Sequence, residues 1–189
     1  LVTGKEGQVD TSLQTLGEKL GLEIIRIGLP EIDLSRPETL EAPVRDARPD
    51  VIISSAAYTA VDKAETDRDA AFAINAAAPG VIAAWAAGHR VPFIHFSTDY
   101  VFDGSGNKPW REGDVTGPLN VYGQSKLAGE LAVRHSGAST LIVRTSWVYS
   151  AGGKNFLRTM VNLMREKPEL RVVGDQNGAP TSAHQIASA

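Results

Sequence analysis

The chain has 189 residues, enough for one domain with a real core and marginal for two. A hydrophobic share of 42%, a charged share of 22% and a net charge of −3 describe an ordinary soluble domain, with no basic excess to neutralise nucleic-acid phosphates. The lack of cysteine excludes a disulfide framework and a thiolate metal site.

Taken in order, apolar runs alternate with helical patterns. Leu1 to Thr3 is a strand tail, followed by a Gly-containing turn and a helix over Val9 to Leu20. Glu23 to Ile27 is β-branched. Pro37 to Ala47 predicts a helix, with Ser35 placed to cap it. Val51 to Ser54 is a short strand. Asp62 to Ala87 is Ala-rich and helical, kinked or divided at Pro79. Pro92 to Ser97 is a strand, Gly123 to His135 a helix, Thr140 to Thr145 a strand and Asn155 to Glu166 a helix. The alternation predicts βαβ units, hence an α/β, Rossmann-like doubly wound parallel sheet. Residues 1–150 form its nucleotide-binding domain, and 151–189 begin a smaller substrate region. Both ends read as cut, because Leu1 opens inside a strand and Ala189 lies in an Ala/Ser/Ile stretch without a stop signal. The Ala-rich run 76–87 is too short to span a bilayer and no signal peptide is visible, so a cytoplasmic protein without a membrane partner is expected.

Two segments carry chemistry. Gly4-Lys5-Glu6-Gly7-Gln8-Val9-Asp10 lies at the first strand-to-helix junction, where glycines let the backbone approach a pyrophosphate and the helix N-terminus offers free N–H groups. The spacing alone also suits a plain turn. The second strand ends Ile25-Arg26-Ile27-Gly28 without the acid that would bind a ribose, and Arg26 is placed to meet a 2′-phosphate. Tyr122 and Lys126 are spaced to share one helical face, so that an ammonium can stabilise a phenolate whose free pKa is ~10. Thr98, just past a strand end, supplies a hydroxyl where ligands bind in parallel sheets. The long irregular loop Asp103 to Pro118 is either a functional element or a surface insertion. The acids of 62–69 alternate with Lys63 and Arg68 and read as a solvated face. His89, His95, His135 and His184 show no metal-ligand spacing.

Five segments in order resemble the dTDP-4-dehydrorhamnose reductase family of extended short-chain dehydrogenases. They are Ala57 to Glu65, Ser97 to Gly104, Pro118 to Lys126, Arg144 to Tyr149 and Asp175 to Thr181. The resemblance implies reduction of the C4 ketone of a dTDP-linked 4-keto-6-deoxyhexose with NADPH, or with NADH. It implies that Gly4, Gly7, Gln8 and Val9 lie against the cofactor phosphates. Asp33 and Leu34 would flank the adenine, Ala57, Tyr58 and Thr59 would line the path past the third strand, and Phe96 would lie near the nicotinamide. Thr98, Asp99 and Trp147 would face the sugar. Tyr122 would protonate the ketone oxygen, and Lys126 would hold the nicotinamide ribose. Asp10 stands where the family has a third glycine. Thr11, Ser12 and Leu13 stand where some members carry a Glu used for a magnesium-linked dimer, so no metal is carried over, magnesium stays open and a homodimer is compatible. Two alternatives share the fold: a non-catalytic NADP-binding subunit resembling the regulatory subunit of methionine adenosyltransferase, and another nucleotide-sugar epimerase or dehydratase. Joint presence of Thr98, Tyr122 and Lys126 favours the reductase.

Overall fold

In the computed structural model, which describes residues 1–189, five short strands make one sheet. They are β1 (Val2–Thr3), β2 (Arg26–Ile27), β3 (Ile52–Ser54), β4 (Phe93–Thr98) and β5 (Thr140–Thr145), in the order β2-β1-β3-β4-β5. Val2 pairs with Arg26 on one side and Ile53 on the other, and Ser54 pairs with His95, all in parallel register. Strands this short and apolar fit a sheet covered on its faces. The winding reverses at β1, so β1 and β3 end side by side where a Rossmann-like sheet opens its crevice. The parallel α/β architecture expected from the alternation is the one formed.

The chain divides into two compact units. The first, Leu1–Gly4 with Ile25–Arg144, holds this sheet and a core built on Leu40, Val44, Ile52, Ile82, Phe93 and Val133. The second joins Lys5–Ile24 to Thr145–Ala189. It contains α1 (Gln8–Leu20), a parallel pair of β6 (Val148–Tyr149) with β7 (Thr181–Ser182), and two further helices over Phe156–Glu166 and Ala183–Ser188. The last of these packs along α1. The helix Phe156–Glu166 has no buried residue, and its Phe156, Leu157 and Met164 are each more than half exposed.

Local chemistry explains where elements depart from expectation. The segment after Ser35 is a 3-10 turn over Pro37–Thr39 and then α2 (Glu41–Asp46), not one helix. Pro43 has no N–H to donate, and the restart at Glu41 puts it in a first turn, where none is needed. Ser35 does not cap that helix. Its N–H and hydroxyl both donate to the Asp33 carboxylate, at 2.9 and 2.6 Å.

The Ala-rich stretch is broken once, after α3 (Val61–Ala64), and then runs unbroken from Arg68 to His89. This 22-residue helix is long and apolar enough to cross a membrane by length and composition, unlike the shorter run 76–87 seen in sequence. Ala71, Asn75, Ala78, Ile82, Ala83 and Ala86 are buried within the chain, as in a core helix. It comprises α4 (Arg68–Phe72), a wide π turn over Ala73–Ala77 and α5 (Ala78–His89), so Pro79 is absorbed at the widened turn without ending the helix. At that turn the Asn75 carbonyl meets the next helix, α6 (Val121–His135), where a Cβ on Gly129 would stand 2.1 Å away. Backbone cannot yield that distance cheaply. Gly129→Ala is therefore expected to cost about 1–3 kcal/mol, read as a lower urea midpoint; an unchanged midpoint would show that the two helices part freely.

Candidate active site

The catalytic candidates of the first unit are set by how α6 begins. The Asn120 carboxamide oxygen accepts the Gly123 N–H at 2.7 Å, and the Glu65 carboxylate accepts the Val121 N–H at 2.8 Å. This cap starts the helix two residues earlier than the sequence suggests and places Tyr122 in its first turn. Gly123 lies against the Tyr100 carbonyl, where a Cβ would stand 2.2 Å away, so the helix start is pressed onto the turn that follows β4. Thr98, the last residue of β4, lies beside the Tyr122 phenol. The Thr98 hydroxyl also donates to Asp99 at 3.1 Å and accepts the Tyr100 N–H at 3.2 Å. The Tyr100 and Tyr122 rings meet edge to face at 5.5 Å. Lys126 lies one turn further along α6, nearly fully buried, and its ammonium donates to the Phe96 carbonyl at 2.6 Å. The structure thus brings Phe96, Thr98, Asp99, Tyr122 and Lys126 together.

Burial dominates the electrostatics here. It pushes the Tyr122 phenol above its ordinary value; the Thr98 hydroxyl opposes this, and Asp99 and Tyr100 add to the rise. The lowering expected from Lys126 is not what governs the tyrosine in this state. Burial also brings Lys126 down to about 8, with Glu130 acting the other way. His95, buried in β4, bonds Ser54 through Nδ1 at 3.1 Å while Nε2 has no partner. Burial and then Lys126 hold its pKa well below the ordinary range, so it is neutral at pH 7. Lysine-selective NMR is expected to show one lysine titrating near pH 8, absent from Lys126→Met; a wild-type midpoint above pH ~10 would mean that Lys126 is solvated.

Several residues that sequence reasoning passed over hold this set in place. Asn75, fully buried in the π turn, accepts the Tyr58 N–H at 2.8 Å. Its amide donates to the Tyr58 carbonyl at 3.0 Å and to Ser125 on α6 at 2.9 Å, tying the β3 exit loop to the Tyr122 helix. The Ser125 hydroxyl donates to the Tyr122 carbonyl at 2.7 Å. The Tyr58 hydroxyl donates to Asp67 at 3.0 Å, and Lys63 pairs with the same carboxylate at 3.2 Å, so Asp67 is more than part of a solvated face. Glu130, fully buried on α6, takes a two-pronged bond from Arg144 at 2.8 and 2.7 Å. Arg144 also covers the Phe102 ring, on which Trp110 stacks at 4.6 Å, and donates to the Glu112 carbonyl at 3.3 Å. The loop 103–118 is therefore fastened to α6 and β5. A polar residue in an Ala-rich helix, and a Glu one turn past Lys126, were the only sequence signals.

Ala57, Tyr58 and Thr59 follow β3, whose exit is tied to β1 by Ser55 and Ala56 bonds to Thr3 at 2.8 to 3.2 Å. Asp33 and Leu34 are half-buried, with Asp33 engaged by Ser35. Arg26 lies on β2 opposite Val2. In the second unit, Gly7 caps α1, and Gly7, Gln8 and Val9 supply the first-turn N–H groups. The Gln8 side chain is already engaged: it donates to the Val148 carbonyl at 3.2 Å and accepts from Ser150 at 3.0 Å and Asn155 at 2.8 Å. Trp147 has a positive φ of 45°, is half exposed, and accepts the Thr181 N–H through its carbonyl at 3.3 Å. No group of three or more His, Asp or Glu side chains is placed to hold a metal ion.

The parallel sheet, with Tyr122 and Lys126 one helical turn apart beside the strand-end hydroxyl of Thr98, is a Rossmann-like fold. The chain belongs to the RmlD substrate binding domain family, which it matches over residues 1–189. It is 52% identical over 189 residues to the dTDP-4-dehydrorhamnose reductase of Burkholderia thailandensis, covering 99% of this chain and 62% of that protein. The enzyme of the same name from Escherichia coli K12 is 48% identical over 191 residues, with 99% and 64% covered. Among solved structures, the Clostridium acetobutylicum dTDP-4-dehydrorhamnose reductase superposes with a TM-score of 0.94 at 38% identity, covering 99% of this chain and 66% of that one. The Bacillus anthracis reductase, solved in complex with NADP, gives 0.93 at 36% identity, with the same coverage. The chain therefore spans just under two thirds of the length of the curated relatives it matches.

Proposed function

We propose that the whole protein is an NADPH-dependent reductase that converts the C4 ketone of dTDP-4-dehydro-L-rhamnose to the alcohol of dTDP-L-rhamnose. Residues 1–150 supply its nucleotide-binding domain, and 151–189 begin its substrate region. The observation that carries this reading is the placing of Thr98 beside the Tyr122 phenol at the end of β4, with Lys126 one turn along the same helix and bonded to Phe96 of that strand, in a chain about half identical to enzymes of that name. The reading includes a cytoplasmic setting and no nucleic-acid or membrane partner.

In the second unit, the backbone N–H groups of Gly7, Gln8 and Val9 at the start of α1 suit a phosphate, that of Gly7 being donated to Asp10; in the first unit, Asp33, Leu34, Ala57, Tyr58 and Thr59 offer polar and apolar groups that suit a nucleoside. Asp10 is the exception, treated below. When bound, the reduced nicotinamide supplies a hydride to the carbonyl carbon. The phenol of Tyr122, kept protonated at neutral pH by burial, gives its proton to the carbonyl oxygen. Thr98 steadies the charge growing on that oxygen. Lys126, held at the Phe96 carbonyl, keeps a positive charge near the phenolate that remains, and a proton from solvent restores it. Carbonyl, hydride and proton thus balance to the secondary alcohol. Asp99 and Trp147 would contact the sugar.

The deciding experiment follows NADPH consumption and formation of dTDP-L-rhamnose from the keto sugar, with NADH in parallel. Turnover with a modest preference for NADPH is expected, since β2 carries Arg26 and ends at Ile27 without an acid. Absence of turnover with both cofactors would sink the reading, and a clear preference for NADH would remove the role given to Arg26.

A further inference from the structure

Asp10 is the buried acid of the phosphate-binding turn, and its charge opposes a phosphate. It is the third residue of α1, and only 3% of its surface is exposed. Its carboxylate turns back onto the helix start and accepts the Gly7 N–H at 3.0 Å. The space beside Gly7 is thereby filled: a Cβ built there would lie 2.6 Å from the Asp10 carboxylate oxygen. Within the turn Gly4 to Asp10, one lysine and two acids leave a formal charge of −1. The N-terminus of α1 already carries its own anion, and one of its N–H groups is already answered.

We propose that Asp10 is an internal anion that competes with the cofactor's pyrophosphate at the start of α1, so that this protein holds its dinucleotide more weakly than a chain with an uncharged residue there. The proposal rests on the cofactor reading above. Asp10 also stabilises the start of α1, since an acid in the first turn complements the helix dipole. The same side chain thus favours the free protein and disfavours the complex. A residue with no charge at this position would do neither.

The test uses the whole protein, Asp10→Asn and Asp10→Gly, with NADPH affinity measured by calorimetry and the unliganded melting temperature recorded for each. Asn keeps the shape and removes the charge. Both variants are expected to bind NADPH about three- to tenfold more tightly, the range of a charge at a helix N-terminus. The gain should shrink at high salt, and the free variants should melt earlier. Binding of 2′-AMP, which lacks the pyrophosphate, should be unchanged. Equal or weaker NADPH binding by Asp10→Asn overturns the proposal, as does an equal gain for 2′-AMP. If the wild-type protein and both variants all fail to bind NADPH, the cofactor reading itself falls, and the proposal with it; that outcome is distinct from wild-type binding left unimproved.

Discussion

Tyr122→Phe is expected to lower kcat by about 100-fold or more, the usual loss when a general acid is removed, while leaving NADPH affinity near that of the wild type. The substitution removes one oxygen. It keeps the ring that meets Tyr100 edge to face at 5.5 Å and leaves the Asn120 cap of α6 intact. Lys126 stays bonded to the Phe96 carbonyl at 2.6 Å, because that contact does not involve the phenol. The loss should therefore fall on the chemical step and not on folding or cofactor capture. Steady-state kinetics beside NADPH titration and far-UV dichroism separates these. Wild-type turnover by the variant would show that another group delivers the proton. A loss accompanied by failed NADPH binding would instead assign the phenol to binding.

The second large effect concerns stability. Arg144→Ala is expected to cost about 3–5 kcal/mol, the range for removing one partner of a buried ion pair. Glu130 is 1% exposed and Arg144 16%, so neither charge has much water to fall back on. Both prongs of the guanidinium would be lost, leaving a carboxylate inside α6 with Arg134 at 3.8 Å and the buried Lys126 as its remaining cations. The stacking of Arg144 on Phe102 and its bond to Glu112 would go as well, loosening the loop 103–118. Burial pushes the Glu130 carboxyl up, but Arg144, Ser97 and Arg134 together hold it below its ordinary value of 4.5. A carboxyl with a depressed folded-state pKa stabilises fully above its unfolded value and loses that stabilisation as pH falls through the folded one. The wild-type advantage over Arg144→Ala should accordingly be complete above about pH 4.5 and vanish in stronger acid. Urea unfolding across that range checks both points. A cost under about 1 kcal/mol, typical of exposed pairs, would show that water reaches Glu130 freely. The double replacement Glu130→Leu with Arg144→Met should be milder than Arg144→Ala alone, since it removes the buried carboxylate together with its guanidinium.

By itself the sequence determined what short-range chemistry controls. Alternating strand and helix patterns define the parallel sheet, and four-residue spacing puts Tyr122 and Lys126 on one side of a helix. Turn residues mark Gly4 to Gly7 as a strand-to-helix junction. Each of these depends on residues within a few positions, through backbone geometry and side-chain period. Only the tertiary structure decided the rest. Asn75 reaches Tyr58 and Ser125, 17 and 50 residues away. Glu130 on α6 meets Arg144 on β5, 14 residues on, and Gln8 meets Val148, Ser150 and Asn155 across about 140 residues. The grouping of α1 with the C-terminal segment has the same character. Spacing along the chain says nothing about such pairs. A buried polar group must find a partner once water is excluded, and which partner it finds is set by how the elements pack, not by its neighbours in sequence. The pKa of Tyr122 makes the point most directly: the Tyr–Lys spacing predicts a lowered value, and burial, a property of the packed fold, raises it.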